Sequence, residues 1–460
     1  MDLYNIAFEV KNAPVLDKTF VPAAKFCQAF LKGAEKPLAV ALERNGGCTY
    51  VFETKVRAGA EFEEANRYYV DRMVKALLWC VGGFKVTVCG DEKLAAHIKS
   101  LYCEGGEREF DADLMSNVYG KPFEVNYASY EDRPAVKENA QSLGRHLDGC
   151  RIGFDAGGSD RKVSAVINGE SVYSEEVVWQ PKITADPSYH FNEIVSAFKT
   201  AASKMPKVDA IGISSAGIYV DNETKIASLF LKVPKGDFEK YVKDIYIRAG
   251  KEIGDIPLVV CNDGDVTALA GAMSLDDTNI LGIAMGTSEA GGYVDGNGNI
   301  TGWLNELAFA PCDFQPEGSH DEWSGDIGCG VKYFSQDAVI KLAPRVGIEL
   351  DAALSPGDKL KVVQNALKDG NLEVEKIFET IGAYLGHTLA FYALVYDMKH
   401  VLLMGRVTSG RGGDIILEKA REVMRNEYPD VCGKINLQLP DEKSRRVGQS
   451  VAAASLPEIG

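Results

Sequence analysis

RIGFDAGGSDRK, residues 151–162, is the stretch of this chain that most strongly decides its fold. An apolar run ends at Asp155, two glycines follow, and another apolar run begins beyond the basic residues. This pattern predicts two strands joined by a tight turn. Gly157 and Gly158 allow a ligand to approach the backbone, and successive free N–H groups in such a turn can cradle an anion.

Three polar side chains around this turn suit a phosphate and its metal ion. Asp155, at the strand end, can hold Mg²⁺ through water, because Mg²⁺ prefers few carboxylates and many waters. Ser159 and Lys162 can donate hydrogen bonds to a phosphate. The alternative is a tight hairpin that carries only solvated surface charges.

A second glycine-rich turn, GTSEAGG at residues 286–292, also lies between two predicted strands. It is a second candidate phosphate cradle, and a plain hairpin turn is the alternative. Glu289 adds a negative charge to this turn, which disfavours phosphate binding unless the side chain points away.

Asn262 and Asp263 follow the apolar run PLVV and precede a predicted helix. A carboxylate at a strand end that faces a cleft is well placed to act as a general base. The alternative is that one of the two residues only caps the helix.

The wider pattern predicts an α/β protein in several parts. Residues 1–147 form a small α/β domain of unknown role, which ends in a linker at residues 130–142. From residue 151, strands with tight turns are followed by alternating helices and strands, and this order occurs twice, which suggests two lobes with a cleft between them. We expect a hairpin around Asn45-Gly46-Gly47, an N-cap at Asp91, and helices near Gln336, Lys359 and Ile381. We also expect a helix over residues 237–254 and a strand at NITGW, residues 299–303.

Composition excludes several classes of protein. The chain has 460 residues, a formal net charge of -16 and ten scattered cysteines without a CxxC pair. Acidic charge argues against a nucleic-acid partner, which requires clustered Lys and Arg. No apolar run is long enough to span a bilayer, and the start lacks the features of a signal peptide. We therefore expect a cytoplasmic protein with reduced thiols and no membrane partner.

Taken in order, these segments resemble the ROK family (repressors, open reading frames and kinases) of sugar kinases. The resemblance covers residues 151–457 and implies the two-lobed actin/hexokinase-like (ribonuclease-H-like) ATPase fold, with residues 148–260 plus 441–460 as the first lobe and 261–440 as the second. The segments that carry it are IGFDAGGSDRK (152–162), AIGISSAGIYVDNETKIASLFLKVP (210–234), PLVVCNDGDVTALAGA (257–272), LGIAMGTSEAGGYV (281–294) and IGAYLGHTLAFYALVYDMKHVLLMGRV (381–407).

Carried over position by position, the resemblance implies a role for each of the candidate residues. Asp263 would be the general base on a sugar hydroxyl, and Asn262 and Glu306 would bind other hydroxyls. Asp155 would hold Mg²⁺ through water, and Gly405 would line the adenosine site. Seven residues of the two glycine turns would hold the phosphates of ATP: Gly157, Gly158, Ser159, Lys162, Gly286, Thr287 and Ser288.

The chain departs from the family's pattern at the metal and sugar positions. The family's zinc site needs three cysteines and a histidine, whereas EWSGDIGC (322–329) keeps only Cys329 and Phe309 occupies the histidine position. We therefore expect no structural zinc. Val331 stands where the family has a Glu that binds the sugar.

The function implied by the resemblance is ATP-dependent phosphorylation of a sugar hydroxyl. Because Val331 and Phe309 are apolar, we expect glucose to be a poor substrate and a deoxy, acylated or otherwise apolar sugar to be preferred. Alternatively, the loop around Gly328 is rebuilt so that Asp326 or Lys332 reaches the sugar. A non-catalytic sugar or nucleotide sensor is the second hypothesis for the whole chain, and a homodimer stays open.

Overall fold

The computed structural model describes residues 1–138, 143–440 and 442–459. The last four residues of the predicted linker, 139–142, lie outside the described residues, as do residues 441 and 460 of the predicted first lobe. The chain forms two compact units. The larger unit comprises Met1–Asn139, Ile283–Gly291 and Trp303–Leu439, and the smaller unit comprises Ala140–Gly282, Gly292–Gly302 and Pro440–Gly460.

The smaller unit is built around a five-stranded sheet, in which three parallel strands are extended by an antiparallel hairpin. The strand 150–156 is buried along its whole length, as expected for a strand covered on both faces. In spatial order, the strands are Leu258–Asn262, Ala210–Ser215, Cys150–Ala156, Asp160–Ile167 and Glu170–Val178.

Helices and a short hairpin complete the smaller unit. The helix after strand 258–262 packs against the last helix of the chain, whose backbone approaches the sheet so closely that a Cβ on Gly212 would lie 1.6 Å from the carbonyl oxygen of Ala453. Only glycine fits there. The elements are helices Pro187–Ala202, Lys235–Asp237, Ile245–Lys251, Asp263–Leu275 and Glu442–Ala454 and strands Ile218–Val220 and Glu223–Ile226.

The continuous helix expected over residues 237–254 is wrong. The chain instead forms a wide turn of the π type at Phe238–Val242 and resumes as an α-helix at Ile245. The carbonyl oxygen of Lys243 accepts a hydrogen bond from the N–H of Thr224 at 2.8 Å. This tertiary bond takes an acceptor that a regular helix would use, so the helix is interrupted there.

The larger unit contains one four-stranded sheet entirely and most of a second. In the first, the predicted hairpin around Asn45-Gly46-Gly47 is confirmed, and its strands pair residue for residue from Lys36–Val56 to Glu43–Thr49. In spatial order the sheets are Thr49–Val56, Lys36–Glu43, Lys85–Cys89 and Glu124–Ala128, and Glu289–Val294, Ile280–Met285, His400–Met404 and Asn436–Gln438.

The helices of the larger unit include those predicted near Gln336, Lys359 and Ile381. The predicted N-cap is confirmed, because the Asp91 side chain accepts hydrogen bonds from the N–H groups of Lys93 and Leu94. The larger unit also contains a two-stranded ribbon, in which strand Asp2–Leu3 pairs with strand Ile6–Ala7. The helices are Ala23–Lys32, Glu63–Cys80, Glu92–Leu101, Glu109–Tyr119, Gln336–Leu342, Pro356–Lys368, Leu372–Tyr392, Arg411–Glu427 and Pro429–Cys432.

NITGW does not form the expected strand, because only Ile300 makes an isolated bridge there. None of the described helices is both long enough and apolar enough to cross a membrane. The division into an N-terminal domain and two lobes stays a prediction, since a grouping by contacts does not show which segment folds by itself.

Candidate active site

The first glycine turn lies where the sequence predicts it, between strands 150–156 and 160–167 of the smaller unit. Two of its carbonyl oxygens are used by Trp179: the indole Nε1 donates to Gly157 at 2.7 Å and the backbone N–H donates to Ser159 at 3.1 Å. The N–H groups of Gly158 and Ser159 donate to none of the described residues. The turn is therefore held by its carbonyls and keeps these two N–H groups available for an anion.

Two lysines lie at this turn, and the sequence identified only one of them. Lys162, the predicted phosphate donor, forms an ion pair with Asp160 at 3.2 Å. Lys182 comes from the short turn Pro181–Ile183, and its Nζ lies 2.8 Å from the point that a Cβ on Gly158 would occupy. Lys182 forms no ion pair among the described residues, so its charge is available at the glycine turn. No local pattern marked it, because it lies on a separate segment of the chain.

Asp155 is buried at the end of its strand. Its Oδ1 accepts hydrogen bonds from the Ser214 hydroxyl at 2.9 Å and from the Gln449 amide at 3.4 Å. Burial raises the pKa of Asp155 to about 6, the Ser214 hydrogen bond opposes this rise, and the charge of Asp263 adds to it. Its Oδ2 accepts from no described residue. One carboxylate with a free oxygen fits an Mg²⁺ ion that keeps most of its waters.

Asp263 is the first residue of the helix 263–275, and its carboxylate electrostatically influences Asp155. Burial raises the pKa of Asp263, while the N–H of Gly264 and the charge of Lys182 act in the opposite direction. A carboxyl with a raised pKa next to a glycine turn and a free cation has the features of a proton acceptor in phosphoryl transfer. The structure thus brings Asp155, Asp263 and the first turn together within one unit.

Asn262 caps the helix 263–275, as the alternative interpretation of the sequence predicts. Its Oδ1 caps the helix by accepting from the N–H of Gly264 at 2.7 Å, and its Nδ2 donates to the carbonyl of Gly217 at 2.7 Å. Both ends of the amide are therefore occupied by backbone groups. Its predicted contact with a sugar hydroxyl stays a prediction, and one that would use only its remaining hydrogen-bonding capacity.

The second glycine turn lies in the larger unit. The N–H of Gly286 donates to the carbonyl of Ser288 at 2.9 Å, and the side chains of Thr287 and Ser288 are exposed. Arg406, the residue after Gly405, donates from Nη2 to the Thr287 hydroxyl at 3.2 Å. Arg406 forms no ion pair among the described residues. This turn thus also carries a cation suited to a phosphate.

The backbone conformation at position 405 and the close approach of a neighbouring strand both require glycine. Its φ is +96°, and a Cβ there would lie 2.3 Å from the carbonyl oxygen of Met285 in the neighbouring strand. Close backbone approach and positive φ both exclude other residues. The predicted adenosine contact of Gly405 stays a prediction beside this structural requirement.

Glu289 points away from the turn, as phosphate binding requires. Its side chain is only 3% exposed, and neither carboxylate oxygen has a hydrogen-bond partner among the described residues. Oε2 lies against Gly330, where a Cβ would be 2.1 Å away. Burial raises the pKa of Glu289 to about 8. The turn therefore presents Thr287 and Ser288 outward, and the acid is neutral in the core at pH 7.

Replacing Glu289 by Met should stabilise the protein at pH 8. In the wild type, the unfolded chain loses this proton near the ordinary pKa of 4.5 while the folded chain keeps it up to about 8, so stability falls as pH rises between these values. Met removes the unpaired acid and keeps a similar shape, which should add about 2 kcal/mol or more at pH 8. Urea unfolding at pH 5 and pH 8 measures the difference.

The exposed Glu418 provides the matched control, because Glu418→Met should leave the pH dependence unchanged. If wild type and Glu289→Met lose the same free energy of unfolding between pH 5 and pH 8, then Glu289 is not the buried, unpaired acid described above.

The segment that carries Glu306 is anchored to the end of helix 63–80. The N–H groups of Leu304, Asn305 and Glu306 donate to the carbonyls of Val81, Cys80 and Trp79 at 3.2, 2.9 and 3.0 Å. The last carbonyls of a helix have no partner within the helix, and this segment provides them. The same bonds explain why residues 299–303 do not continue as a strand.

Asp326, which one alternative drawn from the sequence places near the sugar, is engaged in ion pairs in this structure, and its contact with a sugar stays a prediction. It is buried and forms ion pairs with Arg108 at 2.6 Å and with Arg72 and Lys75 at 3.1 Å each. These cations hold its pKa well below its usual range, although burial opposes them. Lys332 is also engaged, in ion pairs with Glu322 at 2.5 Å and Asp337 at 3.1 Å.

Cys329 is a buried thiol, and burial raises its pKa to about 12. Among the described residues, no group of three or more His, Cys, Asp or Glu side chains is arranged to hold a metal ion. The expected absence of structural zinc stays a prediction. The loop that carries Cys329 is held by the ion pairs of Asp326 instead.

Comparison with solved structures identifies the fold. No protein-family model matches the chain, and no curated protein matches its sequence. A ROK hexokinase from Thermus thermophilus is similar with a TM-score of 0.52 and 17% identity, over 67% of this chain and 97% of that chain.

A Streptomyces griseus ROK family glucokinase in complex with glucose and AMPPNP is similar with a TM-score of 0.49 and 20% identity, over 68% of this chain and 100% of that chain. A ROK family transcriptional regulator, a homolog of the E. coli MLC protein, is similar with a TM-score of 0.49 and 18% identity, over 71% of this chain and 82% of that chain. Across the part of the chain that aligns with the Thermus thermophilus structure, the protein therefore has the fold of that ROK hexokinase.

Proposed function

We propose that the protein is an ATP-dependent kinase that phosphorylates a hydroxyl of a sugar. The observation that carries this proposal is the group in the smaller unit: Asp155 and Asp263, both with raised pKa, next to a glycine turn with free N–H groups and the unpaired Lys182. A structural hairpin needs neither two carboxyls with raised pKa nor an unpaired cation at its turn.

Each residue has a defined task in this reaction. Asp263 accepts the proton of the attacking hydroxyl. The free N–H groups of the first turn and Lys182 bind phosphate oxygens of ATP. Asp155 would hold Mg²⁺ through water, and the ion would supply positive charge near the phosphate oxygens of ATP, the phosphoryl donor.

The direct test is ADP release from Mg-ATP across a panel of plain and modified hexoses. A kinase shows sugar-dependent ADP release, and no release with any sugar contradicts the proposal. A non-catalytic sensor would show a thermal shift with sugar or nucleotide but no turnover. This second candidate is favoured by Phe309, which stands where the family pattern has a histidine. Its side chain is buried, and its ring centroid lies 4.4 Å from that of Trp79.

Lys182→Met should lower kcat roughly tenfold or more, because loss of a donor to the developing phosphoryl charge removes stabilisation of the transition state. Binding of the sugar should change little, since Lys182 lies at the phosphate turn. Steady-state kinetics with the sugar and ATP varied separately measures the effect. Lys232→Met is the control, an exposed lysine of the same unit. A kcat within twofold of the wild-type value would show that Lys182 does not contribute to phosphoryl transfer.

A further inference from the structure

Trp323 is the only exposed Trp or Phe side chain among the described residues, with 63% of its surface accessible. It does not stand alone. Its ring centroid lies 5.5 Å from that of Phe309 and 6.3 Å from that of Phe110, and the rings of Phe110 and Phe309 lie 6.0 Å apart. These three rings form one aromatic surface, with Phe309 buried beneath and the indole outermost.

The loop that presents Trp323 is held rigidly from both sides. Asp321 accepts from the N–H of Ser324 at 2.8 Å, and its own N–H donates to the carbonyl of Asp326 at 2.8 Å. Asp326 is in turn fixed by the three buried cations described above. A large aromatic side chain on a preorganised loop loses little conformational entropy on binding, so it is suited to recognition.

The aromatic surface adjoins the segment of Glu306. Phe309 ends the short turn Leu307–Phe309, whose first flanking residue is Glu306, and the N–H of Phe309 donates to the carbonyl of Glu306 at 3.2 Å. A ligand site generally combines apolar and aromatic walls with a few polar groups that set orientation. Phe309 and Glu306 provide one of each from a single turn.

We propose that Phe110, Phe309 and Trp323 form the surface that binds the apolar face of the acceptor sugar, so that residues before 139 contribute to acceptor specificity. This inference rests on the proposed function, because Glu306 marks the acceptor position only if the protein binds a sugar. The C–H face of a pyranose is apolar and suits the negative face of an indole ring. A deoxy or acyl group enlarges that apolar face, which favours such sugars over glucose.

The test compares Trp323→Ala and Phe110→Ala with Tyr127→Ala, in which an exposed aromatic residue outside the surface is removed. Both surface variants should raise the KM for the preferred sugar roughly fivefold or more and leave the KM for ATP unchanged. Tyr127→Ala should change neither. Trp323→Phe should restore most of the binding, because it keeps an aromatic face.

Direct binding without ATP separates this inference from the proposed function. Tryptophan fluorescence and calorimetry are measured with glucose, 2-deoxyglucose and an N-acylated hexosamine. A fluorescence change that is lost in Trp323→Ala supports the aromatic surface even if no sugar is phosphorylated, in which case the kinase proposal alone fails. Unchanged KM values in both surface variants, a tenfold preference for glucose over both modified sugars, or no binding of any sugar overturns the inference.

Discussion

Asp263→Asn is expected to lower kcat for phosphoryl transfer by about 10²- to 10⁴-fold, the usual loss when a positioned general base is removed. The amide has the same shape as the carboxylate and still accepts from the N–H of Gly264, a bond that Asp263 makes at 3.0 Å. It cannot accept the proton of the attacking hydroxyl. The fold and the binding of sugar and ATP should therefore survive while turnover is lost.

Asp255→Asn is the matched control, since Asp255 is exposed and lies just before the strand that leads to Asp263. Steady-state kinetics and calorimetry on both variants measure turnover and binding separately. The role assigned to Asp263 is wrong if Asp263→Asn retains more than half of the wild-type rate.

Asp326→Ala is expected to destabilise the protein by about 3–5 kcal/mol, because it leaves the buried Arg72 without an ion-pair partner and the cluster with an uncompensated positive charge. The buried members of the cluster are three cations, Arg72, Lys75 and Arg108, and three anions, Asp71, Asp111 and Asp326, whose charges balance. Asp111 also accepts from the indole of Trp79 at 3.1 Å. Urea unfolding followed by tryptophan fluorescence measures the loss.

Asp113→Ala provides the control, because Asp113 is exposed on the same helix as Asp111 and should cost little. The depressed pKa of Asp326 adds a second readout. A carboxyl of this kind stabilises the fold above its unfolded pKa near 3.8, and this contribution is lost as pH falls below that value. Equal stability of Asp326→Ala and Asp113→Ala would show that the cluster contributes nothing.

The Asp326 cluster also explains how a loop without the family's zinc ligands keeps its shape. A structural zinc would cross-link the loop through four side chains. Here helix 63–80 supplies Arg72 and Lys75, and Arg108, just before helix 109–119, joins them at a single carboxylate of the loop. Residues before 139 thus help to hold the loop that carries Asp326, a role that no pattern in the sequence indicated.

Local patterns in the sequence by themselves determined the strand–turn–strand units and most helices. The turns at 157–159 and 286–288, the hairpin at Asn45-Gly46-Gly47 and the cap at Asp91 were predictable, because turn and cap residues act on neighbours only a few positions away. The order of these segments along the chain also indicated the fold, because this order can be read from the sequence without knowledge of any tertiary contact.

Only the tertiary structure decided which charges are free and which are paired. Lys182 reaches the turn of Gly158 from another segment, Glu289 is buried although it lies in a glycine turn, and Arg72 pairs with Asp326 across a separation of 254 residues. The free energy of a charge depends on its solvation and on the partner nearest to it in space. Neither quantity is encoded in local spacing, so the sequence located the carboxylates of the candidate site and Lys162, but not Lys182 or Arg406.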